Sequence, residues 1–430
     1  MDTNDLKLTD AHNALIDNFI SFLSNDERYF YIDAIGGAGK TTICKYLIDV
    51  VIPEYNETAE VIGIPTRDEV FMTAMHNKAA AVLRESGLEA NTIQSHLGMI
   101  LTFKNGNYTL IPKRTIKGSA EQVVFIDECS TMDSVIFNRL LTLPKAKIIF
   151  VGDRFQAPPV GVDESLIYKR QCTLNCLKEI MRTDIPDLKN IYEELREQVE
   201  YNEPSKIPLI NGVVETIDRL DGFDLAAELT EKGHTVVNLG YTNSSVETYN
   251  RDMRSTLNKP KGITKGDTMI VNSAVADESG YIIPTDTRIE ITQVSEDPNR
   301  SNSLGLDVVR VIGTTISGSS HAFLAAKDNL TRLARIKDMQ RSKNWPEYFN
   351  LKERIADLRH SHSLTVHKSQ GSTYDYVFID LDDISKCTNN RLARKLVYVA
   401  VTRARKKVYL IGNLKERIGG MQSVQSTIES

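Results

Sequence analysis

A lysine and a threonine at the end of a glycine-rich turn can hold phosphate oxygens, and this chain has both at Lys40 and Thr41. An apolar run at 29–33 leads into Ala34-Ile35-Gly36-Gly37-Ala38-Gly39-Lys40-Thr41-Thr42 and then a helical pattern. Strand, flexible loop and helix start together form a cradle of backbone N–H groups for a polyphosphate. In such a cradle Lys40 reaches the β- and γ-phosphates and Thr41 ligates Mg²⁺. Gly36, Gly37, Ala38, Gly39 and Thr42 shape the rest of it. The usual first glycine is Ala34 here; the Gly36-Gly37 pair still gives the loop its freedom.

A second apolar run, 123–127, ends in Asp127-Glu128. Such a pair is often just solvated surface. At a strand end beside a phosphate loop it has a task, because phosphoryl transfer needs positioning more than covalent help. Asp127 is placed to hold Mg²⁺ through water, and Glu128 to polarise the attacking water. After a third buried run, 147–152, comes Gly152-Asp153-Arg154-Phe155-Gln156-Ala157-Pro158-Pro159-Val160, where the Gln156 amide can donate to and accept from a γ-phosphate.

The elements that must carry these residues alternate short β-rich runs (29–33, 69–73, 123–127, 147–152) with helical patterns (10–23, 40–51, 77–86, 134–143), as in a parallel sheet flanked by helices. A second α/β block begins near Asp187, continues through 235–241 and resumes with runs at 376–381 and 408–411. Between its halves, 260–319 reads as a small all-β insert, and the charged helical stretch 325–358 as an arm projecting into solvent. In 101–110, Asn105-Gly106 is a strong two-residue hairpin turn that sets Phe103 opposite Tyr108.

With 430 residues, 41% hydrophobic and 25% charged, the chain reads as a multidomain soluble enzyme. No apolar run approaches a bilayer span, and the polar N-terminus is unlike a signal peptide. The five cysteines show no paired metal spacing, and reduced thiols fit a cytoplasmic protein. A net charge of −5 neither requires nor excludes nucleic acid, since a sliding protein needs only a local basic track.

Far downstream lie Thr365-Val366-His367-Lys368-Ser369-Gln370-Gly371-Ser372 and Tyr398-Val399-Ala400-Val401-Thr402-Arg403-Ala404-Arg405. With the phosphate loop, the Asp-Glu pair and the Gln156 segment, in this order, the set resembles a superfamily-one helicase of the B type, the RecD- and Dda-like group. The resemblance runs over nearly the whole chain. It implies two RecA-like parallel-sheet domains: 1A at 1–182 with a hairpin insert 1B at about 97–118, and 2A at 183–258 and 360–430. The 2B insert at 259–359 then combines an SH3-like β part (about 260–319) with the helical arm (about 325–358).

Carried across residue by residue, the resemblance makes Arg403 the arginine that contacts the γ-phosphate from the second domain and Arg182 the other arginine facing the nucleotide, and places Gly371 at the nucleotide. It assigns nucleic-acid contacts to Thr73 and His76, to Thr242 and Asn243 of Tyr241-Thr242-Asn243, and to Thr365 and His367. The family's Pro-Thr is Met75-His76 here, and Gln94 stands where the family has histidine. Phe103 and Tyr108 fall where the duplex-splitting pin belongs. At the adenine motif the family's LTxxQ is Leu8-Thr9-Asp10-Ala11-His12, and imidazole lacks the bidentate edge of an amide.

The expected function is an ATP- and Mg²⁺-dependent DNA helicase moving 5′→3′ on single strands in phage replication or recombination, in the host cytoplasm if phage-encoded. Its partners are single-stranded and forked DNA, with single-strand-binding or replication proteins, no membrane, and a monomeric state. The polarity comes from the resemblance alone. A translocase that strips bound proteins with little unwinding, a P-loop kinase or signalling NTPase, and an inactive DNA-binding subunit are the alternatives; DNA stimulation of ATP hydrolysis and tailed-duplex unwinding separate them.

Overall fold

A computed structural model describes residues 8–104, 107–113, 115–119, 121–143, 145–158, 165–169, 173–296, 305–315 and 318–423. Asn105, Gly106, Pro159, Val160 and Cys172 lie outside the described residues, as do the side chains of Phe103 and Tyr108. The chain divides into two units, one of Met1–Ile100 with Pro112–Arg196, the other of Leu101–Ile111 with Glu197–Ser430.

The first unit is built on strands β1 (Tyr29–Ala34), β2 (Val70–Ala74), β3 (Ala90–Thr92), and, after a hairpin of β4 (Met99–Lys104) and β5 (Asn107–Pro112) whose residues Leu101–Ile111 group with the second unit, β6 (Val123–Asp127), β7 (Lys147–Gly152) and β8 (Thr173–Leu177). The main sheet runs β3-β2-β6-β7-β1-β8, all parallel. Every residue of β6 and β7 is buried, which is why both read as unbroken apolar runs. Because the strands are parallel, the loops after β1, β6 and β7 leave one edge together, and that edge is where α/β sheets bind ligands.

The helix after the phosphate loop departs from expectation. Lys40–Tyr46 is α-helical, Leu47–Val51 forms a π turn, and Ile52–Ile62 continues as α-helix. Pro53 has no N–H for the carbonyl one turn back, so the chain widens before it instead of stopping.

In the second unit, β9 (Ser205–Leu209), β10 (Val214–Thr216) and β11 (Val236–Gly240) precede an insert of β12 (Thr268–Val271), β13 (Val275–Ala276), β14 (Ile282–Ile283), β15 (Arg288–Glu296), β16 (Val308–Thr315), β17 (Ser320–Ala326), β18 (Ile355–Ala356) and β19 (Leu358–His360). Then come β20 (Ser363–Thr365), β21 (Tyr374–Asp380), β22 (Ala404–Ile411) and β23 (Gly419–Ser423). A parallel sheet runs β10-β22-β21-β11-β20. The insert sheet runs β18-β17-β16-β15-β12-β19 around a core that includes Val271, Ile289, Val311 and Phe323. Both parallel sheets, with their helices, are RecA-like α/β domains.

The charged stretch 325–358 is not an arm in solvent. Its helices, Asn329–Arg341 and Trp345–Arg354, pack Met339, Tyr348 and Leu351 against Leu306 and against Val308 and Ala326 of the insert sheet. Arg332, 2% exposed, lies 3.2 Å from Asp357. A few apolar residues at helical spacing outweigh the many surface charges, because each buried large side chain contributes roughly 1.5–3 kcal/mol. Among the described residues no helix is long and apolar enough to cross a membrane.

Candidate functional site

The phosphate loop is shaped by its backbone. Gly37 and Gly39 adopt φ of +97° and +70°, conformations that L side chains rarely reach. Lys40 Nζ donates to the carbonyls of Ala34 (2.9 Å) and Ile35 (3.3 Å), so its ammonium lies across the loop. Thr41 and Thr42 sit in the first turn of Lys40–Tyr46, Thr41 half-buried and Thr42 exposed.

Arg182 is brought to this loop from within the same unit. Ile35 N–H donates to Leu177 C=O (3.2 Å) and Met181 N–H to Gly37 C=O (2.7 Å), so the segment after β8 zips along the loop. A methyl on Gly37 would collide with Arg182 Cβ. The glycine thus serves the close approach of Arg182 as well as the turn.

Asp127 ends β6 and is buried. Burial, then the neighbouring charge of Glu128, push its carboxyl up to about 7 against the opposing pull of Lys40. Glu128 is the strained residue, non-glycine at φ +53°, 6% exposed, with Oε2 buried and lacking a hydrogen-bond partner. A carboxylate stored in that state suits a hard cation or a polarised water nearby. Among the described residues no three His, Cys, Asp or Glu cluster as metal ligands. Mg²⁺ beside a triphosphate needs only one or two protein oxygens, so Thr41 and Asp127 fit it; the ion would supply charge neutralisation at the phosphates. A metal-holding carboxylate must be ionised. Lowering the pH from 8 to 6, through a carboxyl titrating near 7, should therefore weaken the Mg²⁺ dependence of nucleotide binding about tenfold. Mg²⁺ titrations of a fluorescent nucleotide would show it, and Asp127→Asn should flatten the pH response.

Gln156 is 1% exposed, in the turn closed by its N–H to Asp153 C=O (3.1 Å). Beneath this edge lies an ion pair that the motifs did not reveal. Arg196, on the helix Pro186–Glu200, donates to Asp33 Oδ2 at 2.8 Å, and its Nε is 3.9 Å from Asp153. Asp33 is the penultimate residue of β1, so one guanidinium ties the phosphate-loop strand to the Gln156 turn. The only signal in sequence was Asp153 itself, within the quoted motif; Arg196 reads as an ordinary helical charge.

His12 is buried, and its Nδ1 accepts from Thr9 N–H (3.2 Å) with Thr9 Oγ1 2.9 Å away. With Nδ1 accepting, the ring proton of a neutral imidazole sits on Nε2, leaving one donor. Adenine and guanine both offer N7 to a single donor. GTP should accordingly support hydrolysis within about tenfold of ATP, with CTP also used, and His12→Gln should widen the preference for ATP. An unchanged kcat/KM ratio in that variant would remove His12 from base reading.

The Thr73 expectation fails on burial, and Arg403 is held by local bonds. Thr73, 1% exposed, donates its hydroxyl to Phe125 C=O at 2.6 Å; it ties β2 to β6 inside the sheet and cannot touch a strand of DNA. Arg403 is 1% exposed, its guanidinium bonded to Val399 C=O (3.0 Å), Thr402 Oγ1 (3.1 Å) and Ser372 C=O (3.4 Å). It is not presented as a free finger here, because each of its three nitrogens donates to a neutral oxygen, two of them at the end of the helix Asn390–Val401. The Gly371 turn (φ +73°), next to Ser372, lies on the same side of that guanidinium.

His76 is exposed, with Nε2 2.9 Å from Thr131 Oγ1, and that hydroxyl donates to Glu128 C=O at 3.0 Å. Thr131, which no motif pointed to, thus connects a surface histidine to the strained carboxylate's backbone. In the second unit, Thr242 follows β11 and Thr365 ends the adjacent parallel strand β20, and each hydroxyl caps the helix after it. Thr242 Oγ1 also donates to Asp383 Oδ1 (2.8 Å), whose other oxygen accepts from Tyr241 and Thr242 N–H. Burial would raise the Asp383 carboxyl, but these bonds and Lys386 hold it below its ordinary value. Exposed Asn243 accepts from Arg359 (2.8 Å); half-buried His367 lies 6.5 Å from the Tyr241 ring, and burial lowers its pKa, keeping it neutral. Thr242, Asn243, Thr365 and His367 therefore gather at one strand edge.

Residues 17–206 match the family described as an AAA domain, and residues 360–411 the UvrD-like helicase C-terminal domain. The ATP-dependent DNA helicase Dda of Enterobacteria phage T4 is 22% identical over 94% of this chain and 99% of its own. An uncharacterized protein of Acanthamoeba polyphaga mimivirus is 24% identical over 89% of this chain and 95% of its own. RecD of Mycobacterium tuberculosis is 40% identical over 60 residues, 14% of this chain and 10% of its own. In fold, the chain resembles the Pif1 helicase from Bacteroides in complex with ADP-AlF3 and ssDNA, with a TM-score of 0.53 at 16% identity over 96% of this chain and 95% of that one. The ordered motifs, the matched AAA and UvrD-like helicase C-terminal domains and the full-length likeness to Dda place the chain among the B-type superfamily-one helicases, the RecD- and Dda-like group of ATP-driven DNA helicases.

Proposed function

We propose that the chain moves 5′→3′ along single-stranded DNA and unwinds duplex ahead of it, as a monomeric replication or recombination accessory in the cytoplasm of a phage's host. The observation that carries the motor chemistry is the seating of Arg182 on the phosphate loop through Gly37, beside the buried Asp127–Glu128 pair. Lys40 and Arg182 bind and neutralise the phosphates, Thr41 and Asp127 hold Mg²⁺, Glu128 and Gln156 orient the water, and Arg403 completes the charge once it leaves its carbonyls. Gly36, Gly37, Ala38, Gly39, Thr42, Gly371 and His12 shape the nucleotide's bed. His76, Thr242, Asn243, Thr365 and His367 contact the strand. DNA as track is supported by Dda's name and by solved Pif1 complexes with ssDNA and forked dsDNA. Single-strand-binding or replication proteins would then meet it at the fork.

ATPase rates with and without single-stranded DNA, beside unwinding of 5′-tailed, 3′-tailed and blunt duplexes, test this reading. It requires DNA-stimulated hydrolysis and unwinding of the 5′-tailed substrate; preference for the 3′ tail overturns the polarity. The hairpin β4–β5 serves as the 1B pin, and the insert sheet with its packed helices as 2B. Base stacking on Phe103 and Tyr108, at about 1–3 kcal/mol per base, splits the junction. Phe103→Ala with Tyr108→Ala should depress unwinding more than tenfold while ATPase persists; loss of ATPase first would make the hairpin structural.

A further inference from the structure

A cavity of about 600 Å³ lies within the second unit, between the helix Asn243–Thr256 and the insert. That volume falls inside the ~300–1,000 Å³ typical of small-molecule sites. Ile263, Met269, Leu330 and Leu358 give it an apolar lining, and Arg251, Lys259, Lys261 and Lys327 a cationic one. Lys327 is paired with Glu296 and Arg251 with Asp252. Lys259 and Lys261 have no ion-pair partner among the described residues. The acidic residue beside them, Asp328, spends its carboxylate capping the helix Asn329–Arg341.

Glu247 also lines the cavity. It is 7% exposed; its Oε2 is sealed off without a hydrogen-bond partner, so whatever of the carboxylate is open to the cavity carries a poorly compensated charge. The nearest guanidinium, Arg359, stands 4.0 Å away and is committed to both oxygens of Asp357 and to Asn243. Burial pushes the Glu247 carboxyl up to about 7, the mark of an acid whose surroundings do not compensate its charge.

We propose that this cavity is a second nucleotide site, taking one phosphorylated nucleoside whose base carries an exocyclic amino group. Each part of the cavity demands one part of that ligand: Lys259 and Lys261 an anion, the apolar walls a flat hydrophobic body, Glu247 a hydrogen-bond donor. Inorganic phosphate meets the first demand alone, and a fatty carboxylate the first two. An amino-bearing base such as cytosine satisfies a carboxylate as it does in DNA grooves. The site is remote in sequence from the phosphate loop and does not rest on the helicase reading. The nucleotide is either free or one unit of a bound strand.

The test is calorimetric titration of the full chain, with the phosphate loop saturated by Mg-inosine diphosphate, whose base has no exocyclic amino group, using dCMP, TMP, inorganic phosphate and an oligodeoxycytidine strand. One equivalent of dCMP should bind, with TMP and phosphate about tenfold weaker or more. Glu247→Gln should weaken dCMP about tenfold and erase the base preference; Lys259→Ala with Lys261→Ala should weaken every ligand. If the strand competes with dCMP, the nucleotide comes from the strand; if dCMP binding is untouched, it comes from the free pool. Absence of dCMP binding up to ~10 mM, or binding unchanged in both the Glu247 and the lysine variants, overturns the proposal.

Discussion

Glu128→Gln should lower kcat for ATP by about 10²–10⁴-fold while Mg-nucleotide still binds, and should raise the melting temperature. The two effects share one cause. Glu128 sits at φ +53° with a buried, unpartnered Oε2, against the already buried Asp127. Its own C=O is pinned by Thr131 N–H and Oγ1 and its N–H by Asp127 Oδ1, so the conformation is imposed from both sides. Strain and an unsatisfied acceptor each cost roughly 1–3 kcal/mol. Glutamine keeps the shape, removes the repulsion toward Asp127 and can donate into the site, for a gain of a few degrees. It cannot take a proton from water, and hydrolysis stops. Steady-state ATPase, nucleotide titration and a thermal melt measure all three quantities. A variant as fast as the parent would end Glu128's role as base; one both slow and less stable would show that the strain is structural.

How much of this was legible follows from where the information sits. The strands 123–127 and 147–152 could be read to the residue because a parallel strand covered on both faces is apolar throughout. The phosphate loop was equally plain, since only glycine tolerates Gly37's conformation and its contact with Arg182. The helix Ile52–Ile62 was hidden by Pro53, which usually signals a stop and here sits in a first turn after a π widening. Thr73 was placed on its strand but misjudged in orientation, and the local bonding of Arg403 was not foreseen. Strand alternation does not say which face a given sheet covers, and nothing in a motif shows that a guanidinium is already engaged by local carbonyls. Arg196, Asp383 and the Glu247 cavity were invisible for a related reason: Asp33 and Thr242, which define the first two, lie more than 100 residues from them, and pairing at that range belongs to the fold.

Arg182→Ala and Arg403→Ala should both cut kcat, by about 10³-fold each if they neutralise transition-state charge, yet differ in stability. Arg182 is half-buried on the loop, and alanine keeps the Cβ that lies against Gly37. The melting temperature should stay within a degree or two of the parent, about what 0.5 kcal/mol produces in a domain of this size. Arg403 is fully buried, and its loss strips the carbonyls of Val399 and Ser372 of their donor. At ~1–3 kcal/mol per orphaned acceptor, the melt should drop by several degrees. Because the guanidinium must leave those bonds to reach a phosphate, the Arg403 defect should be largest in the DNA-stimulated rate, where conformational change is greatest. Rates measured with and without single-stranded DNA, well below each variant's melt, separate the roles. If Arg403→Ala melts early but hydrolyses ATP normally when folded, Arg403 is a strut of the second unit. Charge neutralisation then falls to Lys40 and Arg182 alone, both on the first.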